Sequence, residues 1–277
     1  MMKVSVCVPT YNHESFIAQM LEGALQQKTN FPFEIVVGDD GSTDGAPAII
    51  QEYASKHPDK IRAYLHPHNL GPQHPREFAG RNNVLSLLKA CRGEYVALCE
   101  GDDYWTDPYK LQKQVEFMSH HPDFAICHHN VRVMYEDGSP EHLFNTPCQK
   151  EFSSIQDILE DRWFMATASI LYRNIFLQQD FAGWHAKAAA GDWALVLQLA
   201  ASGAIGYLPD VMGVYRKHSA GLSNIHAPTN SWFVQNRKEM FENVNAWLNF
   251  TYDEIVNQTV ARYTEQLQSM DSDTPNR

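Results

Sequence analysis

Four short apolar runs, each closed by a polar or glycine-containing turn, punctuate roughly the first hundred residues: Lys3 to Pro9, Phe33 to Asp39, Ile61 to His66 and Glu94 to Cys99. Between them lie segments with helical apolar spacing, near Ser15 to Gln27, Asp44 to Lys56 and Arg81 to Ala90. Phe16, Ile17, Met20, Leu21, Ala24 and Leu25 set that spacing in the first of them. Strands that are apolar throughout and separated by helices characteristically pair in parallel, with the helices crossing over both sheet faces. This half therefore reads as βαβαβαβ, and the fold class as α/β, with a Rossmann-like, mostly parallel central sheet flanked by helices.

A helix carrying Leu111, Val115, Phe117 and Met118 follows Pro108, and a strand from Phe124 to Met134 comes next. Glu136 to Phe152, with its DGSP and Asn145-Thr146-Pro147, reads as a loop or hairpin excursion. Ala168 to Tyr172 is expected as a strand, and Asp192 to Ser202 as a helix with a carboxylate in its first turn. From about Pro228 two helical patterns follow. Trp232, Phe233, Met240, Phe241, Val244, Trp247 and Leu248 mark the first, and Ile255, Val256, Val260, Tyr263 and Leu267 the second. Such stripes are expected to pack on the main body rather than to face a partner or a membrane. The division that follows is 1–225 as the principal domain, 226–269 as a C-terminal helical extension and 270–277 as a polar, frayed tail.

The net charge of -11 argues against gripping nucleic acid or an anionic bilayer through bulk electrostatics, so any bound phosphate must be held locally. Cys7, Cys91, Cys99, Cys127 and Cys148 are odd in number and lack metal-type spacing, which suits reduced core residues. No run approaches the roughly 20 apolar residues of a membrane span, and MMKVSVCVPTYN lacks the apolar region of a signal peptide. The expected location is cytoplasmic, with room for peripheral contact at the inner face of the membrane.

In an open parallel sheet ligands bind beyond the carboxyl ends of the strands. Those positions hold PTYNH (Pro9 to His13), DDGSTDG (Asp39 to Gly45) and EGDDYW (Glu100 to Trp105). Asp44 as a helix cap, Gly41 in a tight turn and local bonds from Ser42 and Thr43 account for most of the second cluster. Asp39 is left over, and a strand-end carboxylate can accept from a nucleobase N–H or a ribose hydroxyl. In the third, Glu100, Asp102 and Asp103 repel one another by roughly 1 to 4 kcal/mol per pair, more when buried. Either a proton is retained or a cation sits among them, and Mg²⁺ or Mn²⁺ suits an oxygen-rich site that also meets phosphates. Taken alone, EGDDYW is more simply a solvated turn.

PTYN, then VVGDDGSTD, the arginine of AGRNN (Ala79 to Asn83) and GEYVALCEGDDYWTDPYKL occur in this order, and together they resemble the family 2 glycosyltransferases. The match is close over residues 3 to 118 and weaker to about 225. The resemblance implies a GT-A fold, with 1–118 as the nucleotide-sugar half and 119–225 as the acceptor half. It implies that Pro9, Thr10, Tyr11 and Asn12 line the nucleobase and ribose, with Tyr11 against the ring. Asp39 would bond the base beside Asp40, and Arg81 would lie near the nucleotide or steady its loop. The acidic cluster corresponds to the family's DxD motif, with Glu100 departing from the commoner DSDD. Asp102 is then expected at the ribose or donor sugar and Asp103 at the metal, Mn²⁺ or Mg²⁺.

Ala190-Gly191-Asp192-Trp193 fits the family's catalytic position, which makes Asp192 the expected general base, although the same carboxylate also serves as a favourable anion at a helix N-terminus. Tyr215 to Gly221 resembles an HxxG-type motif, with His218 a second contact to metal or pyrophosphate and Arg216 or Lys217 offsetting phosphate charge. The implied reaction is a single inverting displacement from a nucleotide-diphosphate sugar, a UDP-sugar ahead of dTDP- or GDP-sugars. The acceptor would be a glycan, lipid-linked or protein-linked hydroxyl, and a homo-oligomer is compatible with this reading. A sugar-nucleotide-binding protein without catalysis is the alternative. A sugar-phosphate nucleotidylyltransferase fits less well, because VSVCVPTYNHES lacks the glycine- and arginine-rich loop that reaction uses.

Overall fold

The computed structural model describes residues 2–71, 78, 80–221 and 230–272. Its centre is a ten-stranded sheet. The first strand, β1 (Val4–Thr10), pairs in parallel with β2 (Phe33–Asp39) on one side and β4 (Tyr95–Leu98) on the other, and β2 pairs in parallel with β3 (Ile61–Leu65). Alternation along β1 sends Val4, Val6 and Val8 to one face and Cys7 to the other, and both faces are covered. Ile17, Met20 and Leu21 of α1 (Ile17–Leu25) cover the first face, whereas Leu87 and Leu88 of α3 (Arg81–Ala90) cover the second. The runs in β1, β2 and β4 are mostly apolar because both faces of these inner strands are covered, whereas β3 at the edge is partly exposed. A third crossover helix, α2 (Ala46–Lys56), carries proline in its first turn, where a missing N–H costs nothing.

Beyond β4 the sheet becomes mixed. The strand order is β3, β2, β1, β4, β9 (Leu171–Arg173), β6 (Phe124–Tyr135), β10 (Ala204–Lys217) and β5 (Tyr104–Trp105). β9 runs antiparallel to both neighbours, while β6 and β10 form a long parallel ladder whose register shifts between Leu208 and Gly213. Pro209 falls in that irregular stretch and has no N–H to give the ladder, which breaks the apolar alternation and hides β10 from the sequence. The long pairings are parallel and the short ones antiparallel.

Other departures have local causes. The strand expected from Ala168 begins only at Leu171, because Ser169 donates through both N–H and Oγ to the Ala166 carbonyl and closes a 3₁₀ turn over Thr167–Ser169. The 136–152 excursion is a hairpin in which β7 (His142–Leu143) pairs with β6, and β8 (Phe152–Ser153) then reaches β10. A short helix, α5 (Ile155–Leu159), follows a capping box in which Ser154 and Asp157 exchange bonds with each other's backbone. The helix after Pro108 is α4 (Lys110–His120), and the one beginning at the GDW motif is α6 (Gly191–Ala200). At the C-terminus, α7 (Ser231–Trp247) and α8 (Asp253–Ser272) put Met240, Phe241, Val244 and Val256 into the same core as α5 and α6. Trp232 and Trp247 stay exposed at their margin. Asp271 and Ser272 are helical rather than frayed, and 273–277 lie outside the described residues, as do Ala79 of AGRNN and 226–229 of the expected extension. Among the described residues no helix is long and apolar enough to cross a membrane. Cys148 is exposed and the other four thiols are buried and free, as their apolar settings suggest.

A polar clasp ties the N-terminal ends of these strands together. Glu34, 4 % exposed, accepts from Ser5 Oγ at 2.7 Å, Arg62 Nη1 at 2.7 Å and the Arg92 N–H at 3.1 Å. Burial pushes its carboxyl up, but these donors outweigh burial and hold it below the ordinary range. A carboxylate lowered in this way stabilises the fold above its unfolded pKa, and that contribution disappears as pH falls through the folded value. Glu34→Gln is therefore expected to cost about 2 kcal/mol at neutral pH in urea unfolding, with the gap to wild type closing below roughly pH 4.

Candidate active site

The loops after β1, β2 and β4 meet at one edge. The Asp40 N–H donates to the Thr10 carbonyl and the Gly101 N–H to the Pro9 carbonyl, both at 3.0 Å. Asn12 takes a left-handed φ of 55°, which asparagine tolerates. It receives the Thr43 N–H on Oδ1 at 2.8 Å and gives its own N–H to Ser42 Oγ. Asp39 accepts both the N–H and the hydroxyl of Ser42, so its carboxylate braces the DDGSTD turn. Asp40 is fully buried; Oδ1 holds the Leu70 N–H at 2.8 Å, and burial raises the carboxyl. Asp44 is not the cap expected of it, since Gly45 occupies the N-cap of α2; its carboxylate, just ahead of the helix, accepts the Ala46 and Glu14 N–H groups. Tyr11 is 43 % exposed at the rim, whereas Thr10 is buried with Oγ1 unpartnered. Gly101 is required by proximity, since a Cβ there would lie 2.5 Å from Thr10 Oγ1 and 2.9 Å from His13 Nδ1.

The acidic turn resolves its repulsion by dividing the three carboxylates. Burial, and then the charge of Asp102, push Glu100 up to about 8; the same causes, with Glu100 added, raise Asp103 well above the usual range. Asp102 goes the other way. Burial would raise it, but the hydrogen bond from His218 and the nearby His13 outweigh burial and hold it low. The turn thus sets two carboxyls raised by burial beside one held low by its histidines. Asp103, 2 % exposed, accepts the Arg216 N–H on Oδ1 at 2.8 Å. Arg216 also gives Nη1 to the Asp102 carbonyl at 2.6 Å, bonds Gln19 through Nη2, and lies 4.4 Å from the Tyr104 ring centroid. Its guanidinium therefore clasps the turn to α1, an engagement that competes with the phosphate role expected for it.

Asp102 rather than Asp103 faces the histidines. His218 Nε2 lies 3.0 Å and His13 Nε2 3.7 Å from Asp102 Oδ2, and one ligand atom from each of the three residues falls within 4.8 Å of the others. Burial lowers His13, and the bond to Asp102 raises His218. Two imidazoles and one carboxylate form a donor set suited to a borderline divalent ion. His13 received no metal role from the sequence. Its signal was there in PTYNH, one residue past the turn that the first strand delivers to this edge.

Asp192 stands in the first turn of α6, with Oδ1 accepting the Trp193 N–H at 2.9 Å. Arg81, expected near the nucleotide or its loop, turns instead to the loop that leads into α6. Nη1 reaches the His185 carbonyl at 2.8 Å and Nη2 the Ala189 carbonyl at 3.1 Å. Burial pulls Arg81 down to about 10, and the charge of Asp192 opposes that fall. Asp192 also raises Glu100, so one carboxylate is felt both by the acidic turn and by the arginine behind it.

The sequence profile of "Glycosyl transferase family 2" matches residues 5–182. An uncharacterized protein of Mycobacterium tuberculosis is 41% identical over 219 residues, which are 79% of this chain and 60% of that protein, so the chain spans less than two thirds of its relative. The poly(ribitol-phosphate) beta-N-acetylglucosaminyltransferase TarS of Staphylococcus aureus is 34% identical over 148 residues, 52% of this chain and 23% of TarS. In fold, the structure of TarS 1-349 in complex with UDP-GlcNAc superposes with a TM-score of 0.63 at 23% identity, covering 88% of this chain and 67% of that one. The mannosyltransferase PcManGT of Pyrobaculum calidifontis, in complex with GDP-Man and Mn2+, gives 0.58 at 18% identity over 96% of this chain and 75% of its own. A strand-end edge of this composition, on a sheet shared with glycosyltransferases and under a profile covering more than half of the residues, places the chain in glycosyl transferase family 2.

Proposed function

We propose that the protein is a metal-dependent inverting glycosyltransferase that moves a sugar from a UDP-sugar to a hydroxyl of a glycan, lipid-linked or protein-linked acceptor in glycoconjugate synthesis. The observation that carries this reading is the convergence of His13, Asp102 and His218 at the strand-end edge. Those residues fit a divalent ion: Asp102 is held as an anion, and the buried His13 Nδ1 and Thr10 Oγ1 lack protein partners. Mn²⁺ suits a set with two imidazoles better than Mg²⁺, which favours oxygen alone. When bound, such an ion would neutralise the diphosphate as it leaves. Asp103 and Arg216 keep the turn in place, and Tyr11 offers its exposed ring to the base.

Asp192 is the general base of this reading. Oδ1 is fixed by the Trp193 N–H, while Oδ2, without a partner among the described residues, is left to take the acceptor's proton. Oxygen attack from that side, opposite the departing nucleoside diphosphate, inverts the anomeric carbon. Arg81 acts through the loop it holds, as a positioning residue. Arg81→Lys keeps the charge but cannot bridge two carbonyls, so kcat is expected to drop about tenfold with KM for the donor little changed, in steady-state transfer assays.

UDP in the TarS complexes supports the choice of nucleotide, with the GDP-Man of PcManGT as the competing precedent. Calorimetric titration of UDP and GDP with and without Mn²⁺, followed by donor-hydrolysis assays on a panel of UDP-sugars, tests the proposal. Metal-dependent UDP binding with slow hydrolysis supports it. No nucleotide binding under any metal condition overturns it, and binding without turnover of any donor leaves a sugar-nucleotide-binding protein.

A further inference from the structure

Asp192 also borders a cavity of about 510 Å³ between α6, α7 and α8. Its wall is largely built beyond residue 182, where the family profile ends. We propose that this cavity is the acceptor subsite and holds a neutral sugar ring, so that the acceptor is a saccharide end rather than a phosphate-bearing group. The inference rests on Asp192 as the base.

Aromatic rings and polar groups share the lining. Trp163 stacks on Trp193 with centroids 4.7 Å apart and planes 23° from parallel, and the Arg237 guanidinium lies 3.6 Å from the Trp193 ring centroid. Tyr215, Phe233 and Tyr263 complete the wall. Rings interleaved with polar side chains match a pyranose, which has apolar C–H faces and a hydroxyl rim.

Charge decides between a sugar and a phosphate. Among the described lining residues, Asp161 and Asp192 stand against Arg237 alone. Arg237 is already paired, with Nη2 giving to Asp161 Oδ1 at 2.6 Å, while Tyr263 gives its hydroxyl to Asp161 Oδ2 at 2.8 Å. A phosphate needs an uncompensated cation, and here it would meet two carboxylates. A hydroxyl, which donates and accepts, fits both partners. Arg237 is 4 % exposed and its Nη1 has no hydrogen-bond partner among the described residues, an unfavourable state that a sugar oxygen would relieve. Asp161 is held at a φ of 65°, the left-handed position just after α5, which fixes its carboxylate at this wall.

The test is saturation-transfer NMR with p-nitrophenyl glycosides of glucose, galactose, mannose and N-acetylglucosamine, beside inorganic phosphate and glycerol 3-phosphate, on the full chain with UDP and Mn²⁺. At least one glycoside is expected to bind, with Kd raised tenfold or more by Trp163→Ala and by Asp161→Asn, while the UDP Kd and far-UV spectrum stay as in wild type. Binding of the phosphate probes in place of the glycosides, no glycoside binding, or equal affinity in Trp163→Ala overturns the inference. If glycosides bind through Trp163 but UDP never binds, the subsite stands and the donor reading fails. If UDP binds and glycosides do not, the donor reading stands and the subsite fails.

Discussion

Asp192→Asn is expected to lower kcat for transfer by roughly 10² to 10⁴, the usual contribution of a positioned general base. The substitution isolates chemistry from folding. An asparagine keeps an oxygen for the Trp193 N–H, so the first turn of α6 retains its only side-chain bond from this residue. Arg81 continues to hold the His185 and Ala189 carbonyls, so the loop into α6 stays placed. UDP affinity, measured calorimetrically with Mn²⁺, is expected to change by less than about threefold, since the proposed base would meet the acceptor and not the nucleotide. Full turnover by Asp192→Asn with a true acceptor would remove the base from the mechanism and leave Asp192 as a helix-end anion.

The acidic turn supplies the second large effect. Asp102→Asn is expected to weaken metal-dependent UDP binding by roughly 100-fold or more, because losing even an outer partner of a ligand costs 10–100-fold. Asp103→Asn is expected to cost less than about fivefold in the same titration. Asp103 is buried, its carboxyl is raised by burial, and it serves the Arg216 N–H, so an amide of the same shape replaces it with little change. Mn²⁺ titration of both variants, read by UDP binding and by the paramagnetic broadening of His13 and His218 resonances, separates the two aspartates. A larger loss in Asp103→Asn than in Asp102→Asn would return the metal to Asp103.

These two experiments concern the point at which sequence and structure part. Order along the chain made PTYN, DDGSTD, EGDDYW and GDW recognisable as one set, and strand-end logic put three of them on one edge, where they are found. What order does not contain is direction. Neighbouring aspartates in a turn point apart, and only the turn's geometry sends Asp102 to His13 and His218 and Asp103 into the protein against Arg216. His13 went unassigned because its partners lie far away in sequence, on β4's turn and after β10. Arg81 was legible as an important arginine, but its partners are carbonyls, which every residue carries and no pattern distinguishes.

The sequence by itself determined the layers. Mostly apolar strands separated by amphipathic helices form such layers, and periodicity records that directly, so β1 to β4 and the three helices crossing between them were legible close to their ends. Tertiary structure decided everything that depends on contact between distant segments: the antiparallel insertion of β9, the continuation of β10 past Pro209, the opposite shifts of neighbouring carboxyls in one turn, and the cavity closed by α7 and α8. Hydrophobic period is a local property carried by each segment, whereas protonation, metal-ligand geometry and a cavity wall are properties of neighbours in space.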